Sequence, residues 1–126
     1  MTFVLDASVV ISRFLPDEGG AVPFSVFDLL ASERPLVTQN MALEVVTGLL
    51  RAHRNRRLSA ERLEESLQAL GALLDNANVD TETTGRAWNV TAALARHHQL
   101  SAYDAAYLEL ARRRGVPLAT LDDRLM

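Results

Sequence analysis

The chain has 126 residues, of which 48% are hydrophobic, so it holds enough apolar material for one domain with one core, and no hydrophobic run is long enough to span a membrane. There is no cysteine, which excludes disulfides, thiolate nucleophiles and cysteine-ligated zinc. All 13 basic residues other than histidine are arginine, which excludes chemistry that requires a lysine, and the formal net charge of -3 gives no general attraction to nucleic acid.

Strand and helix patterns alternate along the sequence. In chain order, the first half predicts a strand at residues 2–5, a helix at 7–15, a helix at 22–32, a strand at 35–38 and a helix at 40–57. The second half predicts a helix that is capped by Ser59 and carries Leu63, Leu67, Leu70 and Leu74, then a strand at 78–80, helices at 81–98 and 102–114, and a strand at 117–120. This alternation predicts an α/β/α sandwich in which helices cover both faces of a mainly parallel sheet of four or five short strands. No linker or repeat divides the sequence, so we expect one domain over residues 1–126.

Four carboxylates stand where such a fold brings residues together. Asp6 and Asp122 each follow a predicted strand, whereas Glu44 and Asp104 each lie near the start of a predicted helix. In an open parallel sheet all four then face the crevice at the carboxyl ends of the strands, where such folds bind ligands. Carboxylates held close together repel one another, and a hard cation with a preference for oxygen ligands offsets that repulsion. The sequence therefore predicts a divalent-metal site, with Mg²⁺ or Mn²⁺ as the ion.

The segments around these acids resemble the PIN domain, and most closely the VapC-type ribonuclease toxins of toxin-antitoxin pairs. The resemblance covers nearly the whole chain through four segments in the family's order, namely VLDASVV at 4–10, LEV at 43–45, LSAYDAAYLELA at 100–111 and PLATLD at 117–122. The sequence departs from the family at Thr47, where relatives often have an asparagine. It also ends at Met126, whereas the family usually continues with a helix and a final strand, so we expect either a shorter sheet edge or a sequence that is truncated at this end.

The resemblance implies an endoribonuclease that cleaves single-stranded or loop RNA with water activated on one or two Mg²⁺ or Mn²⁺ ions. Asp6 and Asp104 are then the principal metal ligands, and Glu44 and Asp122 complete the set directly or through water; Asp123 is the second choice for the last position. The products would carry a 5′-phosphate and a 3′-hydroxyl. Family resemblance further implies a homodimer and a cognate antitoxin protein. The amino terminus has no secretory signal pattern, so we expect a cytoplasmic protein.

Each acid also has a structural interpretation. Asp6 has the position of a helix N-cap, Asp104 that of the last residue of a capping box with Ser101, Glu44 that of a solvated helical residue, and Asp122 that of a turn residue. Two other classes of protein also remain open, a PIN-like module that binds RNA or a partner without cleaving it and a metal-dependent phosphatase of another α/β family. The phosphatase is disfavoured because such enzymes generally need a second aspartate at position 8, which is serine here, and a lysine.

Several polar and aromatic residues supplement this prediction. Ser8 begins a helix, so its hydroxyl group is a candidate for holding a metal-bound water or a phosphate oxygen, and Thr120 resembles a small hydroxyl residue that precedes the family's last acid. The arginine clusters at 51–57 and 112–114 lie in the last turns of predicted helices, where cations complement the helix dipole, and one or two of these arginines remain candidates for contacts with RNA phosphates. The three histidines show no ligand spacing. Trp88, Tyr103 and Tyr107 fall on apolar helical stripes, which favours core or interface positions for them.

Overall fold

The protein is described by a computed structural model over residues 2–15, 33–122 and 125. Its centre is a sheet of four parallel strands, each two residues long, in the order β3-β2-β1-β4. The strands are β1 (Val4–Leu5), β2 (Leu36–Val37), β3 (Asn78–Val79) and β4 (Leu118–Ala119). Val4 pairs with Leu36 on one side and with Leu118 on the other, so β1 lies in the interior of the sheet.

Five α-helices flank the sheet in the described part of the chain. They are α1 (Ala7–Phe14), α2 (Met41–Arg54), α3 (Ala60–Asn76), α4 (Ala92–His98) and α5 (Ala102–Arg114). Helices α1, α2 and α3 pack in succession, whereas α4 packs on α5 and α5 lies against β1 and β4. Because crossovers between parallel strands are right-handed, the two groups cover opposite faces of the sheet. The predicted α/β fold with a four-stranded parallel sheet is therefore confirmed.

The chain order of the strands decides where a crevice opens. The chain steps from β1 to β2 and β3 in one direction and then returns to add β4 on the other side of β1. At such a reversal, the connections after two neighbouring strands diverge and leave a crevice beyond their carboxyl ends. The crevice therefore lies beyond the ends of β1 and β4, next to Asp6 and Thr120.

The predicted helix at 81–98 is wrong in its first half. The structure has a 3₁₀ turn at Thr84–Arg86 and a π-helical turn at Ala87–Thr91, and the α-helix begins only at Ala92. Local and long-range contacts hold the segment in this form, since Thr83 donates a hydrogen bond to Asp80 (2.7 Å) and the Thr84 amide donates one to Gln39 Oε1 (3.1 Å). A regular helix from Thr81 would compete with both contacts.

Other predicted helix ends are close to those observed. The Ser59 and Ser101 hydroxyl groups accept hydrogen bonds from the amides of Arg62 (3.2 Å) and Asp104 (3.1 Å), as N-caps do. Helix α5 ends at Gly115, whose φ of 63° is the left-handed conformation that glycine adopts most easily. Helix α2 ends at Arg54 instead of Arg57. The helix predicted at 22–32 lies outside the described residues.

The three aromatic side chains that the sequence assigns to core or interface positions differ in burial. Tyr107 is fully buried, as predicted, but Trp88 is 74% and Tyr103 55% exposed, so neither belongs to the core of the chain. The leucine stripe of α3 packs on the core, where Leu70 is buried and Leu63, Leu67 and Leu74 are partly buried. None of the helices within the described ranges combines the length and the apolar character that crossing a bilayer requires.

Candidate active site

Asp6 is the buried residue between β1 and α1 at the carboxyl edge of the sheet. Its carboxylate accepts a hydrogen bond from the Ser8 amide (2.7 Å), which makes it the N-cap of α1. It accepts a second hydrogen bond from the hydroxyl group of Thr120, the residue that directly follows β4 (2.6 Å). Asp6 is therefore a helix N-cap, as its position in the sequence suggested. The hydrogen bond from Thr120 is not needed for capping.

Thr120 and Ser8 fasten the segment after β4 to the start of α1. The Thr120 hydroxyl group accepts a hydrogen bond from the Asp122 amide (3.0 Å), and the Ser8 hydroxyl group accepts one from the Leu121 amide (3.0 Å). The Thr120 hydroxyl group therefore contacts both the carboxylate of Asp6 and the backbone amide of Asp122. Asp123, the second choice for the last acidic position, lies outside the described residues.

Glu44 lies in the first turn of α2 and is partly buried. The hydroxyl group of the fully buried Tyr107 donates a hydrogen bond to Glu44 Oε1 at 2.5 Å. Burial raises the pKa of Glu44 and the charges of Asp6 and Asp104 add to the rise, whereas the hydrogen bond from Tyr107 opposes it; the resulting pKa is about 7. A solvated helical glutamate would not be coupled to two other acids, so the structural interpretation of Glu44 is insufficient.

Asp104 lies in the first turn of α5, and its backbone amide is capped by Ser101. Helix α5 precedes β4, so it runs against the strand direction and its first turn lies at the carboxyl edge of the sheet. That orientation explains why the charge of Asp104 acts on Glu44 although the two residues are 60 positions apart.

The structure thus brings Asp6, Glu44 and Asp104 to one edge of the sheet, where the charges of Asp6 and Asp104 act on Glu44, and Thr120 holds the backbone amide of Asp122 next to the carboxylate of Asp6. Over residues 2–15, 33–122 and 125, no three acidic or histidine side chains stand close enough to hold one metal ion between them. The donor types nevertheless fit a hard divalent cation, because all four side chains offer carboxylate oxygen and the burial of Glu44 beside two like charges is a cost that a cation would remove.

Tyr107 is the residue of this edge that sequence reasoning missed. Its apolar spacing predicts a core or interface position, and it does lie in the core, but its hydroxyl group also contacts Glu44. The available signal was its position three residues after Asp104, since residues at this spacing share a helix face. A buried tyrosine hydroxyl group must find a partner, and the acidic edge supplies one.

A second charged cluster lies away from the acidic edge. Arg113 contacts Asp80 (2.8 Å), Glu109 (2.8 Å) and Glu82 (3.2 Å), and the side chains of Asp80 and Glu109 are only 4% and 3% exposed. These contacts tie α5 to the segment after β3. Arg113 therefore serves a structural network, which goes beyond the helix-end role predicted for the arginines at 112–114. The Nδ1 atom of His53 lies 2.8 Å from the Leu58 carbonyl oxygen, in agreement with a structural role.

Comparison with known proteins agrees with this fold. Residues 3–126 match the family model of the PIN domain, so the chain belongs to the PIN-domain family. Within it, the chain is 31% identical over 122 residues to VapC ribonuclease Mb0985 of Mycobacterium bovis and to Ribonuclease VapC9 of Mycobacterium tuberculosis, an alignment that covers 97% of this chain and 87% of each relative. The predicted resemblance to VapC-type ribonucleases is confirmed.

A solved structure supports the fold independently. The crystal structure of PAE2754 from Pyrobaculum aerophilum superposes with a TM-score of 0.71 at 18% identity and covers 99% of this chain and 82% of its own. At this identity the likeness concerns the fold.

Proposed function

We propose that the protein is a metal-dependent endoribonuclease and the toxin of a toxin-antitoxin pair. The observation that carries the proposal is the coupling of Asp6, Glu44 and Asp104 at the carboxyl edge of the sheet, where burial and the two neighbouring charges raise the pKa of Glu44 to about 7. The likeness to proteins named VapC ribonucleases supports RNA as the substrate.

In this proposal Asp6, Asp104, Glu44 and Asp122 would hold one or two Mg²⁺ or Mn²⁺ ions, which when bound would supply a water of lowered pKa and positive charge beside the phosphate. The water oxygen attacks phosphorus, the bond from phosphorus to the 3′ oxygen breaks, and a proton passes to that oxygen, which leaves a 5′-phosphate and a 3′-hydroxyl. Tyr107 orients Glu44, while Thr120 orients Asp6 and, through the Asp122 amide, the last acid.

The other partners of the proposal come from the family. A cognate antitoxin would cover the acidic crevice, a second copy of the chain would form a homodimer, and the protein would act in the cytoplasm. Leu50 on α2, which is 38% exposed, supplies apolar surface for such contacts.

The experiment is an RNA-cleavage assay with purified protein in millimolar Mg²⁺ or Mn²⁺. Asp6→Asn and Asp104→Asn remove charge with little change in volume, and each should reduce cleavage to background while the circular dichroism spectrum is unchanged. The matched control is Asp75→Asn, an exposed aspartate near the end of α3, which should cleave as wild type does. Wild-type rates in either site variant would refute the site. RNA binding without any cleavage by the wild-type protein would favour the non-catalytic module.

A further inference from the structure

A groove runs along α2 beside the acidic edge. We call it the Tyr103 groove; it encloses about 540 Å³ and its walls include Ile11, Leu43, Glu44, Thr47, Arg51 and Tyr103. Glu44 belongs both to this groove and to the proposed catalytic site. The groove therefore adjoins the acidic edge at Glu44.

Tyr103 forms one wall of the groove and is 55% exposed. It directly precedes Asp104 in the first turn of α5, so its ring is fixed to the same helical turn as a proposed metal ligand. Its hydroxyl group makes no hydrogen bond to any other residue in the described ranges. An exposed aromatic face beside the proposed phosphodiester-cleaving site is the kind of surface on which a nucleobase stacks.

The other walls supply the remaining features of a nucleotide site. Ile11 and the 68% exposed Leu43 are apolar and suit the face of a base. Arg51 lies seven residues beyond Glu44 on α2, about 10 Å along the helix axis at the rise of an α-helix. Its guanidinium group forms no ion pair with the residues that the structure describes, so it is available to a phosphate.

We propose that the Tyr103 groove binds the nucleotide next to the scissile phosphate, with its base stacked on Tyr103 and a flanking phosphate paired with Arg51. This proposal rests on the ribonuclease function and adds a substrate subsite to it. The charge pattern favours RNA over a protein partner, because one arginine at the end of an open aromatic groove suits a base and its phosphate. Stacking requires an unpaired base, which agrees with the single-stranded or loop RNA that the sequence predicts as the substrate.

The experiment compares Tyr103→Ala, Tyr103→Phe and Arg51→Gln with wild type. The substrate is a single-stranded RNA with randomised bases around one cleavage site, cleaved in Mn²⁺; binding of the same RNA is measured separately in Ca²⁺ over a range of salt concentrations. Trp88→Ala, which removes another highly exposed aromatic from the π-helical turn outside the groove, is the matched control.

We expect Tyr103→Ala to raise KM and the Kd for RNA about tenfold and to weaken the base preference beside the cleavage site. Tyr103→Phe keeps the ring and should resemble wild type, as should Trp88→Ala. Arg51→Gln should weaken binding of all sequences alike and reduce the salt slope by about one.

Three outcomes would overturn the subsite: wild-type affinity and preference in Tyr103→Ala, equal losses in Tyr103→Phe and Tyr103→Ala, or a change in oligomeric state by light scattering that accounts for the effect of Tyr103→Ala. Failure of the parent proposal is distinct, because there the wild-type protein binds RNA in Ca²⁺ but does not cleave it in Mn²⁺. In that case the Kd values alone decide whether Tyr103 stacks on a base.

Discussion

Tyr107 donates a hydrogen bond from the protein core to Glu44 at the acidic edge, at a distance of 2.5 Å. The two residues are 63 positions apart and belong to α5 and α2. Because Tyr107 is fully buried, its hydroxyl group has a fixed position, and the carboxylate it contacts is fixed as well. The contact also favours the charged form of Glu44, against the burial and the neighbouring acids that raise its pKa.

Tyr107→Phe removes this donor without changing the shape of the core. We expect a loss of about 1 kcal/mol in the free energy of unfolding at pH 8.5 and a smaller loss at pH 5.5, because the hydrogen bond is stronger to the charged carboxylate. Urea denaturation at both pH values measures the difference. Tyr103→Phe is the control, since it loses a hydroxyl group that has no partner among the described residues. A pH-independent loss in Tyr107→Phe would mean that Glu44 is not its charged acceptor.

Glu44→Gln tests the repulsion at the acidic edge in the absence of metal. The folded pKa of Glu44, about 7, lies above its usual value of 4.5, so the folded protein binds the proton more tightly than the unfolded chain does. Metal-free wild type should therefore lose stability as the pH rises from about 4.5 to 7, by an amount on the order of 2 kcal/mol because Glu44 is only partly buried.

In EDTA at pH 8, Glu44→Gln should melt above wild type, and Mn²⁺ should raise its Tm less than it raises that of wild type. Differential scanning calorimetry with and without Mn²⁺ provides the comparison, with the exposed Glu64→Gln as control. If Glu44→Gln and Glu64→Gln behave alike in EDTA, the acids at this edge do not repel one another appreciably.

Asp104 and Ser101 separate the metal-site role from the helix-cap role. Asp104→Asn removes one like charge, so in EDTA it should melt at or above wild type, while the rise in Tm caused by Mn²⁺ shrinks. Ser101→Ala removes the hydroxyl group that accepts a hydrogen bond from the Asp104 amide. It should therefore lower the free energy of unfolding by about 1 kcal/mol and leave the Mn²⁺-induced rise in Tm intact. Thermal melts of both variants in EDTA and in Mn²⁺ make the test. The reverse pattern would mean that Asp104 acts through the helix start alone.

The charged cluster around Arg113 contributes to the decrease in folding stability at low pH. The hydrogen bond from the Arg113 guanidinium group is the largest influence on Asp80 and lowers its pKa to about 2. Because the folded pKa of Asp80 lies below the unfolded value of about 4, its ionised carboxylate stabilises the folded protein at pH values above 4. We expect about 2 kcal/mol of the free energy of unfolding to be lost as the pH falls from 4 towards 2.

Asp80→Asn should make stability depend less on pH between 4 and 2. Arg113→Gln should destabilise the protein by about 3 kcal/mol at pH 7, because it leaves two buried carboxylates without the guanidinium group that contacts both. Glu82→Gln is the control, since Glu82 contacts the same arginine but is 61% exposed. Urea denaturation from pH 7 to pH 2 gives all three values. If Asp80→Asn loses as much stability between pH 4 and pH 2 as wild type does, other groups control acid unfolding.

The amino-acid sequence by itself determined the strands, most helix starts and the identity of the four acids. These features depend on short stretches of chain, such as an apolar run, or a cap at Ser59 or Ser101 that needs only the amide three residues further on. The alternation of strands and helices then fixed the parallel sheet, and parallel strands end at the same edge, which is why Asp6 and Asp122 were assigned to one crevice.

Only the tertiary structure decided the contacts that join distant parts of the chain. Thr120 donates to Asp6 across 114 positions, and Arg113 pairs with Asp80 across 33. The delayed start of α4 depends on Gln39, which is 45 positions from Thr84, and so could not be read from residues 81–98 alone. Exposure is decided in the same way. Tyr103 and Tyr107 lie on one helix, yet packing against β1 buries only Tyr107 and leaves Tyr103 facing the groove, because burial depends on the neighbours that the fold supplies.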